Sequence, residues 1–445
     1  MTVTLKNLQN AGEFEVIDAK LHGNGVIIDL KENLSMAAIK WYEDISWPCI
    51  HGELIITTTH AYADQLPILG QEKLELILGT PDFPEQFDFG GELEDGRWFD
   101  VYAVENRSHD KNLQSFVIKF ASPESLTNAR ITFSESLQGT YSEIVGQVML
   151  DHIDTKKAVF LEATNGEKNV VVTTQHPFNV IGTAASHSLT DDKKLPAFRF
   201  FENREGFHFK SVSTLFKQPS IWKFGVNAEG LKQTGQGQAD LVKDLQSLTH
   251  MTLSQNDRLM DTEDGVIGAK LIAYDIFNKQ YKTQEYSYFV NYPQEEHVEH
   301  EDGGGPIYRT EDSDYTKSRV YYQPVSIKKK NGMDFNGLFS SYKLESPVED
   351  IKTAQKNSQL NQLDQAFKLE CSALGNLSLT VGKMVDIVIP KATEELMGMV
   401  PDDEIFSGKF LITSIMHNIE LTDGGQHTST MTLVRDSIPD TTTDF

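Results

Sequence analysis

One arrangement occurs towards both ends of this chain: a glycine, a short alternating strand, and then a hairpin with long alternating arms. The first copy starts at Gly70 (GQEKLELIL) and continues through a hairpin from Phe99, across a polar turn at 106–112, to a returning arm at 116–120. The second starts at Gly382 (GKMVDIVIP) and continues through KFLITSIMHNIEL to a returning arm containing Met431, Leu433 and Arg435. Apolar and polar residues that alternate at a period of two are the mark of a strand with one buried face. A lone hairpin cannot bury such a face, so each copy must close on further strands. In both copies a histidine follows the outgoing arm, His109 and His417. The repeat predicts one β module that occurs twice.

Further strands are available to the first copy at 14–21 and at 52–59 (GELIITTT). Pro123 and the polar residues after it mark a boundary. Beyond it, Ile144, Val145, Val148 and Met149 have the spacing of a helix face, and Pro177 suits the first turn of a second helix. Strands at 197–201 and 206–210 follow across the turn 202–205, so this middle region reads as α+β. Strands resume at 265–274 and 285–290 and are expected to complete the second copy. The acidic, Gly-rich stretch 292–318 reads as a mobile loop or insertion, and a polar helix over 347–367 presents Ile351, Ala354, Leu363 and Phe367 inward. The expected fold is mainly β, with a duplicated β module and an α+β domain between its copies. The first copy takes 1–121, and the α+β domain takes 122–238, which the 292–340 insertion can join. The second copy takes 239–291 and 341–437, leaving a flexible tail at 438–445.

Composition narrows the functions such a chain can carry. At 445 residues it exceeds one ordinary core, and 39% hydrophobic with 24% charged residues suits packed domains rather than wholesale disorder. Cys49 and Cys371 are the only cysteines, too few for a disulfide scaffold or a cysteine-based zinc site, and they point to a reducing compartment. A net charge of −25 opposes binding to nucleic acid and to anionic membranes. No apolar run reaches the roughly 18 residues needed for a spanning helix. The first residues, MTVTLKNLQN, lack the pattern of a secretion signal, so the expected site of synthesis is a cytoplasm, with release by lysis.

No residue set with catalytic spacing emerges. The motifs HExxH, GxxxxGK[ST] and GxSxG are absent from the chain. His297 and His300, in EEHVEHED, could hold a divalent cation, but their acidic setting favours a solvated loop. Gly303, Gly304, Gly305 and Pro306 lack the strand and helix of a phosphate loop and read as a linker. The pairs Asp191-Asp192 and Asp402-Asp403 could serve acid–base chemistry, yet adjacent carboxylates are expected by chance among 65 acidic residues. Lys328, Lys329 and Lys330 precede Asn331-Gly332, a hairpin-turn signal, so a solvated turn is favoured over a contact with an acidic partner. Trp41 and Trp47 (WYEDISWPCI) suit a core or subunit interface better than sugar stacking, for which Trp98 and Trp222 would be the other platforms. No catalytic residue and no cofactor is expected.

Several segments, in their order along the chain, resemble the baseplate central hub proteins of contractile-tailed phages. They are Glu124-Ser125-Leu126-Thr127-Asn128-Ala129-Arg130, the 141–150 helix, and His176-Pro177-Phe178-Asn179-Val180-Ile181. The strand turn 200–211 (FFENREGFHFKS), followed by Leu215-Phe216, and the closing hairpin GKFLITSIMH…MTLVRDS complete the set. The resemblance implies two tube-like antiparallel β-barrels related by the duplication, with the α+β domain between them, and a homotrimer in which three chains with two barrels each present six similar modules, adapting a threefold central spike to a sixfold tail tube. It implies as partners the tail tube protein or its initiator, the spike, and the surrounding baseplate wedge proteins. DNA would pass along an axial channel without specific binding, and the location would be the tail of a virion assembled in the host cytoplasm, with no membrane contact. Unlike some relatives, the chain shows no lysozyme motif or needle repeat. The alternatives are a hub of a pyocin-like or secretion-type injection particle, a tail-associated cell-wall hydrolase, and a carbohydrate-binding module.

Overall fold

The structure is a computed structural model. It describes residues 7–23, 25–33, 36–58, 68–89, 98–110, 113–192, 194–226, 238–255, 257–275, 279–298, 305–308, 315–324, 328–329, 344–345, 352–391, 402–403, 405–421 and 425–438.

The N-terminal module contains β1 (Glu15–Gly23), β2 (Met36–Asp44), β3 (His51–Thr58), β4 (Lys73–Gly79), β5 (Phe99–Asp110) and β6 (Leu113–Ala121). Their order across the sheet is β1-β4-β5-β6-β3-β2, every pairing antiparallel. Alternation in these strands points Leu54, Ile56, Leu74, Leu76, Phe116, Ile118 and Phe120 to one face, where they share a core with Ala19, Leu21, Ile39 and Trp41. Aromatic rings fill its centre, with Phe89 4.3 Å from Phe99 and Phe99 4.8 Å from Phe120. Each such ring, fully buried, stabilises the fold by about 1.5–3 kcal/mol. Gly52 is required by close approach, since a Cβ there would lie 2.4 Å from both the Lys40 carbonyl oxygen and Phe120.

The middle region packs α1 (Pro123–Arg130), α2 (Tyr141–Val148) and α3 (Pro177–His187) with two small sheets. One pairs β7 (Phe133–Gly139) with β9 (Lys168–Gln175), and the other orders β8 (Val159–Leu161), β11 (Gly206–Ser211) and β10 (Phe198–Asn203). Thr140 and Glu143 form a reciprocal capping box at the start of α2, which satisfies two otherwise unpaired backbone donors. Ile144, Val145, Val148 and Met149 are buried against Val180, Ile181 and Phe207.

The second barrel contains β12 (Ser220–Val226), β13 (Ser247–Ser254), β17 (Phe367–Leu374), β18 (Met384–Val388), β19 (Gly408–Glu420) and β20 (Gln426–Arg435). Its order is β12-β18-β19-β20-β17-β13, and pairing of β13 with β12 closes the ring. The expected two-barrel architecture is thus present, and the duplication extends beyond the hairpin to the strand order. Numbered by these six strands in each module, leaving out the short N-terminal strands Val26–Asp29 on β1 and Gln86–Phe89 on β4, both sheets run 1-4-5-6-3-2. The first strands differ in direction, β1 being antiparallel to β4 and β12 parallel to β18.

Two expectations for this half are corrected. The strands near 265–290 do not enter the second barrel. β14 (Gly268–Asp275) and β15 (Gln280–Ser287) instead form a separate three-stranded sheet with β16 (Val320–Pro324). Ala269 and Tyr286 of this sheet bury against Ala354 of α4 (Thr353–Gln365), while the barrel takes β12 and Phe224 into its core. A period of two marks a half-buried strand but carries no information about which sheet the strand joins. The strand expected at 285–290 ends at Ser287, and Tyr288–Asn291 turns helical. The start of the 292–318 stretch is not a mobile loop either, because Tyr292, Glu295, His297 and Val298 are buried.

Candidate assembly site at the seam between the barrels

The two barrels are stitched by one long strand. Along one edge, β19 pairs with β20 from Leu411 to Glu420. Along the other, Gly408–Leu411 (408–411) pairs with β18 of its own barrel, and 414–420 pairs antiparallel with β2, Ser414 opposite Asp44 and Glu420 opposite Ala38. A bulge between Ile412 and Ser414 separates the two stretches, as bulges do where a strand changes partners. The N-terminal module therefore spends its last strand, β2, on its neighbour. Among the described residues β2 and β1 do not pair.

Alternation on β2 places Ile39, Trp41 and Glu43 on one buried face. Trp41 is fully buried and stacks on His417 with ring centroids 4.5 Å apart, while Phe87 lies 4.4 Å away. His417 Nδ1 and His427 Nε2 are 3.0 Å apart, with the Ser429 hydroxyl 3.1 Å from His417 Nδ1. Burial pushes His427 down to about 3 and, with the neighbouring His427, pushes His417 well below the ordinary histidine value, so both rings are neutral. Gly375 makes room for this pair, since a Cβ there would stand 2.5 Å from the His427 ring. Glu43 accepts hydrogen bonds from Trp41 Nε1 at 3.3 Å, the Val381 N–H at 3.1 Å and the Thr380 hydroxyl. Burial outweighs these donors and raises its carboxyl to about 7.

The middle region is locked to both barrels around the same seam. Lys157 Nζ donates to Glu124 at 2.8 Å and to Glu202 at 2.6 Å, all three side chains being almost wholly buried. Glu202 also accepts from the Ile50 N–H at 2.9 Å, and the Lys157 ammonium lies 5.2 Å from the Phe89 ring of the first barrel. Burial opposes the ammonium, but the two carboxylates prevail and raise the lysine's pKa. On the other side, Asn203 Nδ2 donates to the Val381 carbonyl at 3.2 Å, and Arg199 reaches both oxygens of Asp364 on α4 at 3.1 Å.

The candidates singled out from sequence do not converge. His297 is buried, with Nδ1 2.7 Å from Asp436 Oδ2 and Nε2 3.0 Å from the Tyr292 carbonyl, while its ring stacks on Tyr292 at 3.7 Å. Both ring nitrogens are engaged with protein groups, so this histidine ties residues 292–298 to the end of β20. His300, Lys330 and the turn Asn331-Gly332 lie outside the described residues, as do Gly303 and Gly304. Asp191 and Asp192 line a groove with Glu162, Thr214, Lys217 and Glu296, and Asp191 accepts from Asn165 at 3.3 Å. Asp403 caps a turn through the N–H groups of Ile405 and Phe406. Trp41 is core, Trp47 is 62% exposed, Trp98 lies under Lys73, and Trp222 packs on Phe83, so the four tryptophans form no common platform. Among the described residues no group of three or more His, Cys, Asp or Glu is arranged for a metal, and no helix is long and apolar enough to cross a membrane.

Sequence reasoning missed Glu43 and His427. The signal was present: Glu43 falls in the apolar phase of β2, and His427 in that of β20 with Ser429, Met431 and Leu433. It also matched His417 to His109, whereas ladder register aligns His417 with Asn106.

No protein-family model matches the sequence, and no curated protein matches it at a significant level. Solved structures do. The 43 kDa tail protein of prophage MuSo2 from Shewanella oneidensis superposes with a TM-score of 0.54 at 9% identity, covering 94% of this chain and 98% of that one. The tail protein from Neisseria meningitidis MC58 gives 0.52 at 10% identity, covering 94% and 96%. The fold is that of these tail proteins. The shared tail-protein fold spans both barrels and the middle region, and the seam lies inside it.

Proposed function

We propose that this chain is a non-enzymatic structural hub of a contractile-tail baseplate, a trimeric ring that adapts a threefold central spike to a sixfold tail tube. The observation that carries the reading is the strand order 1-4-5-6-3-2 occurring twice in one chain, with the two copies already joined edge to edge. Three chains then supply six equivalent modules, and the duplication has a purpose that a single-copy function would not give it. The tail-protein fold supports the same location, the tail of a virion assembled in the host cytoplasm. On this reading one rim meets the tail tube protein or its initiator, the other meets the spike, and wedge proteins surround the ring. DNA passes through the axis without specific binding, in keeping with a net charge of −25.

The test is the mass and shape of the purified protein in solution. A trimer with an axial hole is expected, and a monomer at all concentrations would sink the ring. Clearing of purified cell wall by the protein alone would instead favour a tail-associated hydrolase.

A further inference from the structure

Helix α3 carries a glycine that no neighbouring atom requires. Glycine is a poor helix former, yet Gly182 lies in the middle of this helix and is exposed. The glycine of α2 has a packing reason, since a Cβ on Gly146 would stand 3.0 Å from Leu161. A Cβ on Gly182 would meet nothing within 4 Å. The space belongs to a groove of about 430 Å³. That volume falls within the range of about 300–1,000 Å³ usual for ligand pockets.

Three parts of the molecule build the groove. The turn between β2 and β3 gives Ile45 and Pro48, while α3 and β10 give Phe178 and Phe200, whose rings are 5.8 Å apart. From α4 come Leu360 and Lys356. The charged side chains lining it, Arg199 and Lys356, are both cations, in a chain with 65 acidic and 40 basic residues. Lys356 Nζ donates to the Ser186 carbonyl at 3.0 Å, at the last turn of α3. Arg199 Nη2 donates to Asp364 at 3.1 Å, and its Nε has no hydrogen-bond partner among the described residues. Trp47 stands in sequence between two lining residues, Ser46 and Pro48, and is 62% exposed. Tryptophan is enriched where proteins bind one another.

We infer that this groove binds a segment of a partner protein in which an aromatic or leucine side chain stands next to a carboxylate. The apolar side chain takes the space over Gly182, against the Phe178 and Phe200 rings. The carboxylate lies against Lys356 and Arg199, where hydrogen bonds between charged groups are stronger than neutral ones. Charge sets the choice of partner, because the same two cations repel a basic segment. The groove lies wholly within one chain, so this binding does not depend on the ring.

The probe is acetyl-phenylalanyl-aspartyl amide, titrated against the full chain by ligand-observed NMR beside acetyl-phenylalanyl-lysyl amide. Saturable binding of the acidic peptide is expected, with a Kd on the order of 1 mM for so small a ligand. The lysyl peptide should bind roughly tenfold more weakly or not at all. Gly182→Leu puts a better helix former into open space, so the variant folds, and it should abolish the binding. Lys356→Gln should weaken the acidic peptide roughly tenfold and leave the lysyl peptide unchanged. Equal binding of the two peptides overturns the charge assignment and with it the proposed partner. Binding that survives Gly182→Leu, or an acidic peptide that does not saturate by about ten times the expected Kd, overturns the site.

Discussion

The two barrels have one strand order and opposite fates at their edges. The C-terminal barrel closes on itself through β12 and β13 and still lends the far end of β19 to its neighbour. The N-terminal module gives up β2 to that neighbour, and among the described residues no strand pairs with the equivalent edge of its own long strand. A duplicated fold thus need not duplicate its contacts. One copy of the seam is satisfied within the chain, where covalent linkage holds the two edges at high effective concentration.

The comparison can be broken most strongly at Trp41. This side chain is fully buried and carries the stack on His417. Trp41→Ala should cost about 3–5 kcal/mol in chemical denaturation. It should also raise amide exchange in 414–420 far more than in 408–411, where β18 rather than β2 is the partner. Equal loss of protection in both stretches would mean that the barrels unfold as one unit and that the seam has no separate identity.

Acid should loosen the same seam by a smaller amount. His427 is held neutral at about 3 in the fold against an ordinary 6.5, so the unfolded chain takes up the proton first as pH falls. The histidine's contribution is full above 6.5 and is lost as pH drops towards 3, by up to roughly 3 kcal/mol at pH 4. Exchange at 38–44 followed against pH would reveal this. The corresponding positions on β5, Glu105 to Ser108, are exposed, and exchange there should follow no such acid limb.

The smallest expected effect sharpens the C-terminal barrel alone. Burial would lower the pKa of His297, but Asp436 outweighs it and holds the imidazolium, with Glu295 adding to the effect. Because its folded pKa lies above 6.5, this tie is fully present below that value and weakens as pH rises through the folded one. Asp436→Asn should remove the dependence and cost roughly 2 kcal/mol, the scale of a hydrogen bond to a charged group. Protease sensitivity of 292–298 at pH 6 and pH 9 provides the readout, and equal sensitivity at both would reject the tie.

Much of this was legible in the residues. Alternation located both hairpins and the strands before them, because side-chain direction along a strand is a local property. Helix signals were equally local, as in the spacing of Ile144, Val145, Val148 and Met149 and in Pro177 at a first turn. What remained hidden was which edges meet. The strands at 268–275 and 280–287 alternate well enough for a barrel yet pair with 320–324, while the weakly patterned SIWKFGV enters the barrel wall. His297 read as a solvated loop residue because its partner, Asp436, is 139 positions away in sequence.

The sequence by itself determined that this protein is built from strands, that its hairpin module occurs twice, and which side chains face inward. Only the tertiary structure decided that β2 leaves its own module to join β19, and that β12 rather than β14 and β15 enters the second barrel. The physical reason is that backbone hydrogen bonds between strands are the same for every side chain. Periodicity fixes a strand's faces, but the partner along its edge is chosen by long-range packing.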